Sequence, residues 1–300
     1  MLRILDSHVH LAGKNLDNNW VDNDLNTDAK TLHPTTSIPV NRTSSELLEQ
    51  SFISETKSFN VDRLIFVECG NDDGSLKETK WALGLANDPS SRIAAVVAHI
   101  PVPQGADAVR NWITSIREDN QLPLLLRGGR IVLLGNPMPA IDTCLSEDYN
   151  AGLSVLEEHN LHWEWCCHSS ALANISVACA KRPNMTFVLD HLGRNGGTEQ
   201  DIEEWKKGIE LIAQQPNVYV KIGAIEEWGV QDPHPLLDFA IQTLGFARCM
   251  FESNWFVSKA CGFSYEKLVE TTIEALKRNG AEESDVLDVF FRNAEKVYKL

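Results

Sequence analysis

Short runs of Val, Ile, Leu and Phe alternate along this chain with amphipathic stretches of helix length, and no other feature limits the fold as strongly. Continuous apolar runs of strand length are buried on both faces, as in a parallel sheet covered by crossover helices. Eight such runs are present: Arg3 to His10, Arg63 to Cys69, Ile93 to Ile100, Leu124 to Leu134, His162 to His168, Thr186 to His191, Val218 to Ala224 and Cys249 to Trp255. The stretches Ser44 to Phe59, Ser75 to Asn87, Ala106 to Asp119, Asn150 to His159, Ala171 to Lys181, Glu199 to Gln214, Pro235 to Leu244 and Tyr265 to Asn279 read as helices, several opening after Ser, Thr, Asp or Asn caps. After a long first connection the later runs start about 25 to 40 residues apart, the length of a βα unit. Eight units predict an α/β chain closed as a single-domain (β/α)8 TIM barrel over residues 1–300. A last helix, Asp285 to Tyr298, packs the end of the chain. The polar segment 13–42, rich in Asn, Asp, Thr and Pro, reads as a long loop over the active face, suited to be a lid.

Charge narrows the partners. The chain carries 27 Lys and Arg against 42 Asp and Glu, a net charge of −15. That field repels phosphate backbones and anionic membrane surfaces, so neither nucleic acid nor membrane is expected as a partner. There is no stretch of 18 apolar residues, and the first strand begins without a secretory leader. Seven irregularly spaced Cys, two of them adjacent at Cys166 and Cys167, suit reduced thiols in a cytoplasmic protein. A small molecule is the expected substrate and a homodimer the default assembly.

Chemistry gathers at the strand ends, where barrel enzymes place their sites. In the first run, alternation puts Asp6, His8 and His10 on one face, with the two imidazoles nearest the C-terminal end. Neutral imidazoles two residues apart can offer lone pairs to one divalent cation. Glu68, His99, His168, His191 and Asn254 also stand at or near the ends of apolar runs. Lys221 sits within its run, sharing parity with Tyr219 and Gly223.

Taken together, Asp6-Ser-His8-Val-His10, Gly128-Gly129-Arg130, Leu189-Asp190-His191-Leu192-Gly193, Val218-Tyr219-Val220-Lys221, Met250-Phe251-Glu252-Ser253-Asn254-Trp255 and Asn293-Ala294-Glu295-Lys296-Val297-Tyr298 resemble the amidohydrolase superfamily. The branch resembled is that of metal-dependent hydrolases and fuconolactonase-like lactonases, and the resemblance spans nearly the whole chain. It implies a divalent metal ion, zinc above others, facing His8, His10 and His168. His191 would bind the substrate carbonyl or the metal. Arg130, with Lys221, Glu68 and His99, would contact a carboxylated or sugar-derived substrate.

One departure matters. Where the family carries Asp in a Ser-Asp-Trp-Pro-like motif, this chain has Ser253-Asn254-Trp255-Phe256. An amide is not a general base near neutral pH and is a weaker ligand. Glu252, two residues earlier on the same face, is the candidate replacement, although a spacing of about 7 Å along a strand would put it a layer deeper. The resulting expectation is a lactonase: metal-activated water attacks a ring ester, and His191 steadies the oxyanion. A metal-independent lactonase, a decarboxylase, and a binding barrel that has lost catalysis are the alternatives.

Overall fold

The computed structural model describes residues 1–13, 49–69, 75–117, 121–134, 140–193, 198–225 and 232–300. The predicted lid at 13–42, apart from its first residue, and the first part of the predicted helix from Ser44 lie outside these residues.

Eight parallel strands hydrogen-bond in chain order. They are β1 (Arg3–Val9), β2 (Asn60–Val67), β3 (Ile93–His99), β4 (Leu126–Leu133), β5 (His162–Cys167), β6 (Phe187–Leu189), β7 (Val218–Lys221) and β8 (Cys249–Met250). The seam between β8 and β1 is closed beyond the short last strand. Ser7 N donates to Phe251 O at 3.2 Å, His10 N donates to Trp255 O at 2.6 Å, and Val9 bridges Trp255 in parallel. The chain therefore folds as a single-domain (β/α)8 barrel.

The helices are α1 (Glu49–Glu55), α2 (Ser75–Ala86), α3 (Ala106–Ile116), α4 (Glu147–Glu158), α5 (Leu172–Ala180), α6 (Glu199–Ala213), α7 (His234–Leu244), α8 (Val257–Ala260), α9 (Tyr265–Arg278), α10 (Glu283–Leu287) and α11 (Asn293–Val297). Local chemistry sets several of their starts. Ser146 and Ser264 accept backbone N–H groups at the first turns of α4 and α9, and Thr198 with Asp201 forms a reciprocal capping box on α6.

Two apolar regions follow from strand alternation. Outward side chains such as Ile4, Phe66, Val96, Trp163, Phe187 and Val220 pack beneath the helices. Leu5, Ile65, Val67, Ala95, Val97, Val188 and Met250 point inward and meet Phe291, Ala294, Val297 and Tyr298 from the end of the chain. The C-terminal segment thus plugs the barrel floor. The single last helix expected from sequence is instead interrupted by a π turn, Asp288–Arg292, between α10 and α11. Its wider turn places the Val289 carbonyl to accept Phe251 N–H at 2.9 Å, tying the plug to the barrel seam.

All seven cysteines are buried, and none forms a disulfide. Among the described residues, no helix is long and apolar enough to cross a membrane.

Candidate active site

Above the apolar floor the barrel interior turns polar. Glu68, Glu164, Asp190, Glu252, Arg130 and Lys221 are each 2% exposed or less. Buried charges persist only when paired or coordinated, so their contacts define the site. Four carboxylates face two cations, a formal excess of two negative charges among the imidazoles.

The lowest layer is Glu164 on β5. Its Oε1 accepts from the Tyr298 hydroxyl at 2.7 Å and lies 3.0 Å from His162 Nε2. His162 fits because Gly128 is opposite, where an added Cβ would come within 2.5 Å of the imidazole ring. Lys221 on β7 donates to Glu164 Oε2 at 2.5 Å and stands 2.9 Å from Asp190 Oδ1 and 3.2 Å from His8 Nδ1. Burial alone would lower the Lys221 pKa, but the carboxylates of Asp190 and Glu164 hold it above the ordinary value.

Arg130 on β4 spans the next layer. It donates through Nε to Glu68 Oε1 at 2.7 Å and to the Glu68 carbonyl at 2.7 Å. It also reaches Asp190 Oδ2 at 3.0 Å and His8 Nε2 at 3.2 Å. Burial would raise Glu68, yet Arg130 and His99 bring it down to about 2. His99 Nδ1 stands 3.6 Å from the second Glu68 oxygen.

The upper layer holds the imidazoles. His8 and His10 approach through Nε2 at 3.1 Å, and His10 Nδ1 lies 3.0 Å from the Val67 carbonyl. That carbonyl can only accept, so it fixes Nδ1 as the protonated nitrogen and Nε2 as the lone-pair bearer. Burial depresses both rings below the ordinary imidazole value, with Lys221 adding to the effect on His8. Glu252 lies between His8 Nδ1, at 3.2 Å, and His191 Nδ1, at 3.0 Å. Its Oε1 accepts backbone N–H groups from His191 and Gly223, each at 3.1 Å. Burial opposes ionisation of Glu252, but His191 and His8 keep it well below the usual carboxylate range.

Two parity arguments from sequence need correction. Asp6 does not share the face of His8 and His10. Leu5 points inward, and β1 carries a register shift between Asp6 and Val9, so the bulge turns the two imidazoles inward while Asp6 points the other way. Asp6 accepts from Ser253 N at 3.0 Å and faces Tyr265 on α9, and burial raises it to about 7. Strand alternation would put Asp190 and His191 on opposite faces, yet both reach the centre. The strand ends at Leu189, and His191 takes a left-handed conformation (φ 53, ψ 34) that breaks the alternation.

The ligand-capable atoms of His8, Asp190 and His191 lie within 4.8 Å of one another, and this is the group among the described residues with metal-site spacing. His10 adjoins it through His8. His168, expected as a third imidazole ligand, is outside the group; its Nδ1 accepts Ser170 N–H at 3.3 Å as the cap of a 3-10 turn. Asn254 is buried with φ 46 beyond the end of β8. Sequence reasoning missed Glu164 and gave Asp190 no role; the signal was an acidic residue inside or ending an apolar run.

The family model described as amidohydrolase matches residues 78–300, so the chain belongs to the amidohydrolase family. More particularly, it is 27% identical over 197 residues to L-fucono-1,5-lactonase of Burkholderia multivorans, covering 59% of this chain and 62% of that protein. It is 23% identical over 220 residues to the uncharacterised protein y4mH of Sinorhizobium fredii, covering 71% of this chain and 73% of the other. A crystal structure of a Burkholderia multivorans amidohydrolase with bound zinc superimposes with a TM-score of 0.77 at 21% identity, covering 99% of both chains.

Proposed function

We propose that this amidohydrolase hydrolyses a small lactone, drawn from sugar-derived or carboxylated ring esters. The observation that carries the reading is the Glu252–His191 pair at 3.0 Å, in the mouth of a barrel whose deeper charges are already paired.

Ring opening needs a group to take a proton from the attacking water and return it to the departing ring oxygen. Asn254 cannot do this. Glu252 Oε1 is held by two backbone N–H groups, and its Oε2 stands 3.0 Å from His191 Nδ1 and 3.2 Å from His8 Nδ1. Its role is through His191: a proton on Nδ1, the nitrogen beside the carboxylate, would leave the neutral ring its acceptor at Nε2, and the carboxylate would stabilise the imidazolium that forms. His191 would take the proton as the water oxygen bonds to the carbonyl carbon. It would return that proton to the ring oxygen as the C–O bond breaks, giving the hydroxy acid. A lactone suits such a site because a ring ester releases its alkoxide far more readily than an amide releases its amine.

The residues fit a divalent cation by donor chemistry and by charge. Two buried neutral imidazoles converge through Nε2, Asp190 is adjacent, and the interior carries formal excess negative charge. His8, His10 and Asp190 would hold the ion, and the zinc bound by the Burkholderia relative supports a divalent metal. Such an ion would supply Lewis acidity toward the carbonyl oxygen. Arg130 would yield its contact with His8 Nε2 when the ion binds, and keep its contacts with Glu68.

The test is turnover of sugar and aromatic lactones by the wild type and by Glu252→Gln. The variant is expected to lose about 100-fold or more in kcat. No turnover across the lactone panel, or an unaffected Glu252→Gln, would overturn the reading.

A further inference from the structure

The C-terminal plug reaches into the polar interior through one atom. Tyr298, just past α11, packs its ring among the apolar floor residues and edge-on to His162, with ring centroids 5.1 Å apart. Its hydroxyl donates to Glu164 Oε1 at 2.7 Å and lies 3.4 Å from the Ser7 carbonyl. The other Glu164 oxygen accepts from Lys221, whose ammonium touches both Asp190 and His8. Tyr298, Glu164 and Lys221 are all fully buried.

We infer that Tyr298 and Glu164 are positioning residues: the plug hydroxyl sets the carboxylate that holds the Lys221 ammonium against His8 and Asp190. This builds on the hydrolytic reading of the same site. The geometry leaves little slack. A carboxylate with partners on three sides has one orientation that satisfies all of them, and the ammonium it holds donates to Glu164 Oε2 and stands 2.9 Å from Asp190 Oδ1 and 3.2 Å from His8 Nδ1. Without the hydroxyl, Glu164 can rotate toward His162, and Lys221 can follow it toward the floor. His8 then loses the ammonium that fixes its ring, and Asp190 keeps only its Arg130 contact among the two cations. The reacting groups are untouched by such a change; only their alignment moves. Sheet and plug are thus coupled chemically as well as by packing.

The experiment compares wild type, Tyr298→Phe, Glu164→Gln and Phe291→Leu. Phe291→Leu loosens the same plug without removing a polar contact. Two readouts are taken: the side-chain ammonium NMR signal of Lys221, assigned by its disappearance in Lys221→Met, and kcat and KM on whichever lactone the wild type turns over. Tyr298→Phe is expected to shift or broaden the ammonium signal and to lower kcat about 10- to 100-fold, the range found for residues that orient ligands from behind, with KM within a factor of two. Phe291→Leu is expected to leave the signal in place. Should Tyr298→Phe fail to fold, Glu164→Gln provides the same comparison. An unchanged ammonium signal, or an equal change in Phe291→Leu, would overturn the positioning role. Absence of lactone turnover in the wild type would instead overturn the functional reading, with the NMR comparison still deciding the positioning.

Discussion

Arg130 and Asp190 meet at 3.0 Å across the barrel, one from β4 and the other from just past β6, and Lys221 takes the second Asp190 oxygen at 2.9 Å. A single carboxylate thus joins the two buried cations. Glu68, just past β2, completes Arg130, and Glu164 of β5 completes Lys221, so the interior organises its charges without the surface.

Removing that carboxylate should be severe. Asp190→Asn leaves Arg130 and Lys221 with one anionic partner fewer each in a dry interior, and breaking a buried pair in this way costs about 3–5 kcal/mol. Chemical denaturation should show the midpoint falling by a corresponding amount. A loss no larger than that of an exposed pair such as Arg110–Glu158 would show that the network is solvated.

Gly223→Ala tests the close approach of β7 to Glu252. An added Cβ would lie 2.4 Å from Glu252 Cγ and 2.5 Å from its carbonyl oxygen, so the Glu252 backbone would have to move. Overpacking of this kind costs about 1–3 kcal/mol. Because the displaced residue orients His191, kcat should fall further than stability alone accounts for. Steady-state kinetics beside a denaturation curve separate the two effects.

Stability should depend on pH through Glu78 of α2, which accepts the Cys69 N–H at 3.2 Å through each oxygen. Burial, then the nearby Glu68 charge, raises Glu78 from 4.5 to about 8. The folded state therefore binds a proton that the unfolded chain releases between these values. The stabilisation is complete below pH 4.5 and is lost as pH rises toward 8, with a slope of at most about 1.4 kcal/mol per pH unit. In Glu78→Gln that slope should disappear from denaturation midpoints measured across the same interval.

Metal content checks the ligand assignment. Protein purified without added metal and analysed by mass spectrometry should carry a close to stoichiometric divalent ion, and His10→Ala should lose most of it. His168→Ala should retain it, since that ring caps its own turn. Retention in His10→Ala together with loss in His168→Ala would reverse the assignment.

Much of this was legible in the sequence, and what was not has local causes. The eight runs forecast eight strands because buried parallel strands must be apolar throughout. His8, His10, His191 and Glu252 were visible as polar groups ending such runs. Alternation failed at two places where the backbone leaves the regular strand: the bulge in β1, which reverses the relation of Asp6 to His8, and the left-handed His191 after β6. A period of two cannot register either event. Glu164 escaped because its charge lies within Trp and Cys neighbours and two of its partners, Lys221 and Tyr298, come from β7 and the end of the chain, more than 50 residues away in each case. The π turn before α11 left no periodic trace.

The four carboxylates and two cations within the barrel also set how the protein should respond to temperature. Stripping water from charged groups is costliest in the cold, because their hydration is entropically unfavourable and weakens on warming, whereas burial of greasy surface gains little further as the temperature climbs. The enclosed ions therefore become easier to keep dry as the solution warms. The polar centre weighs most heavily on the fold near freezing, and the chain should tolerate heat better than chill relative to a barrel of equal size filled with aliphatic side chains.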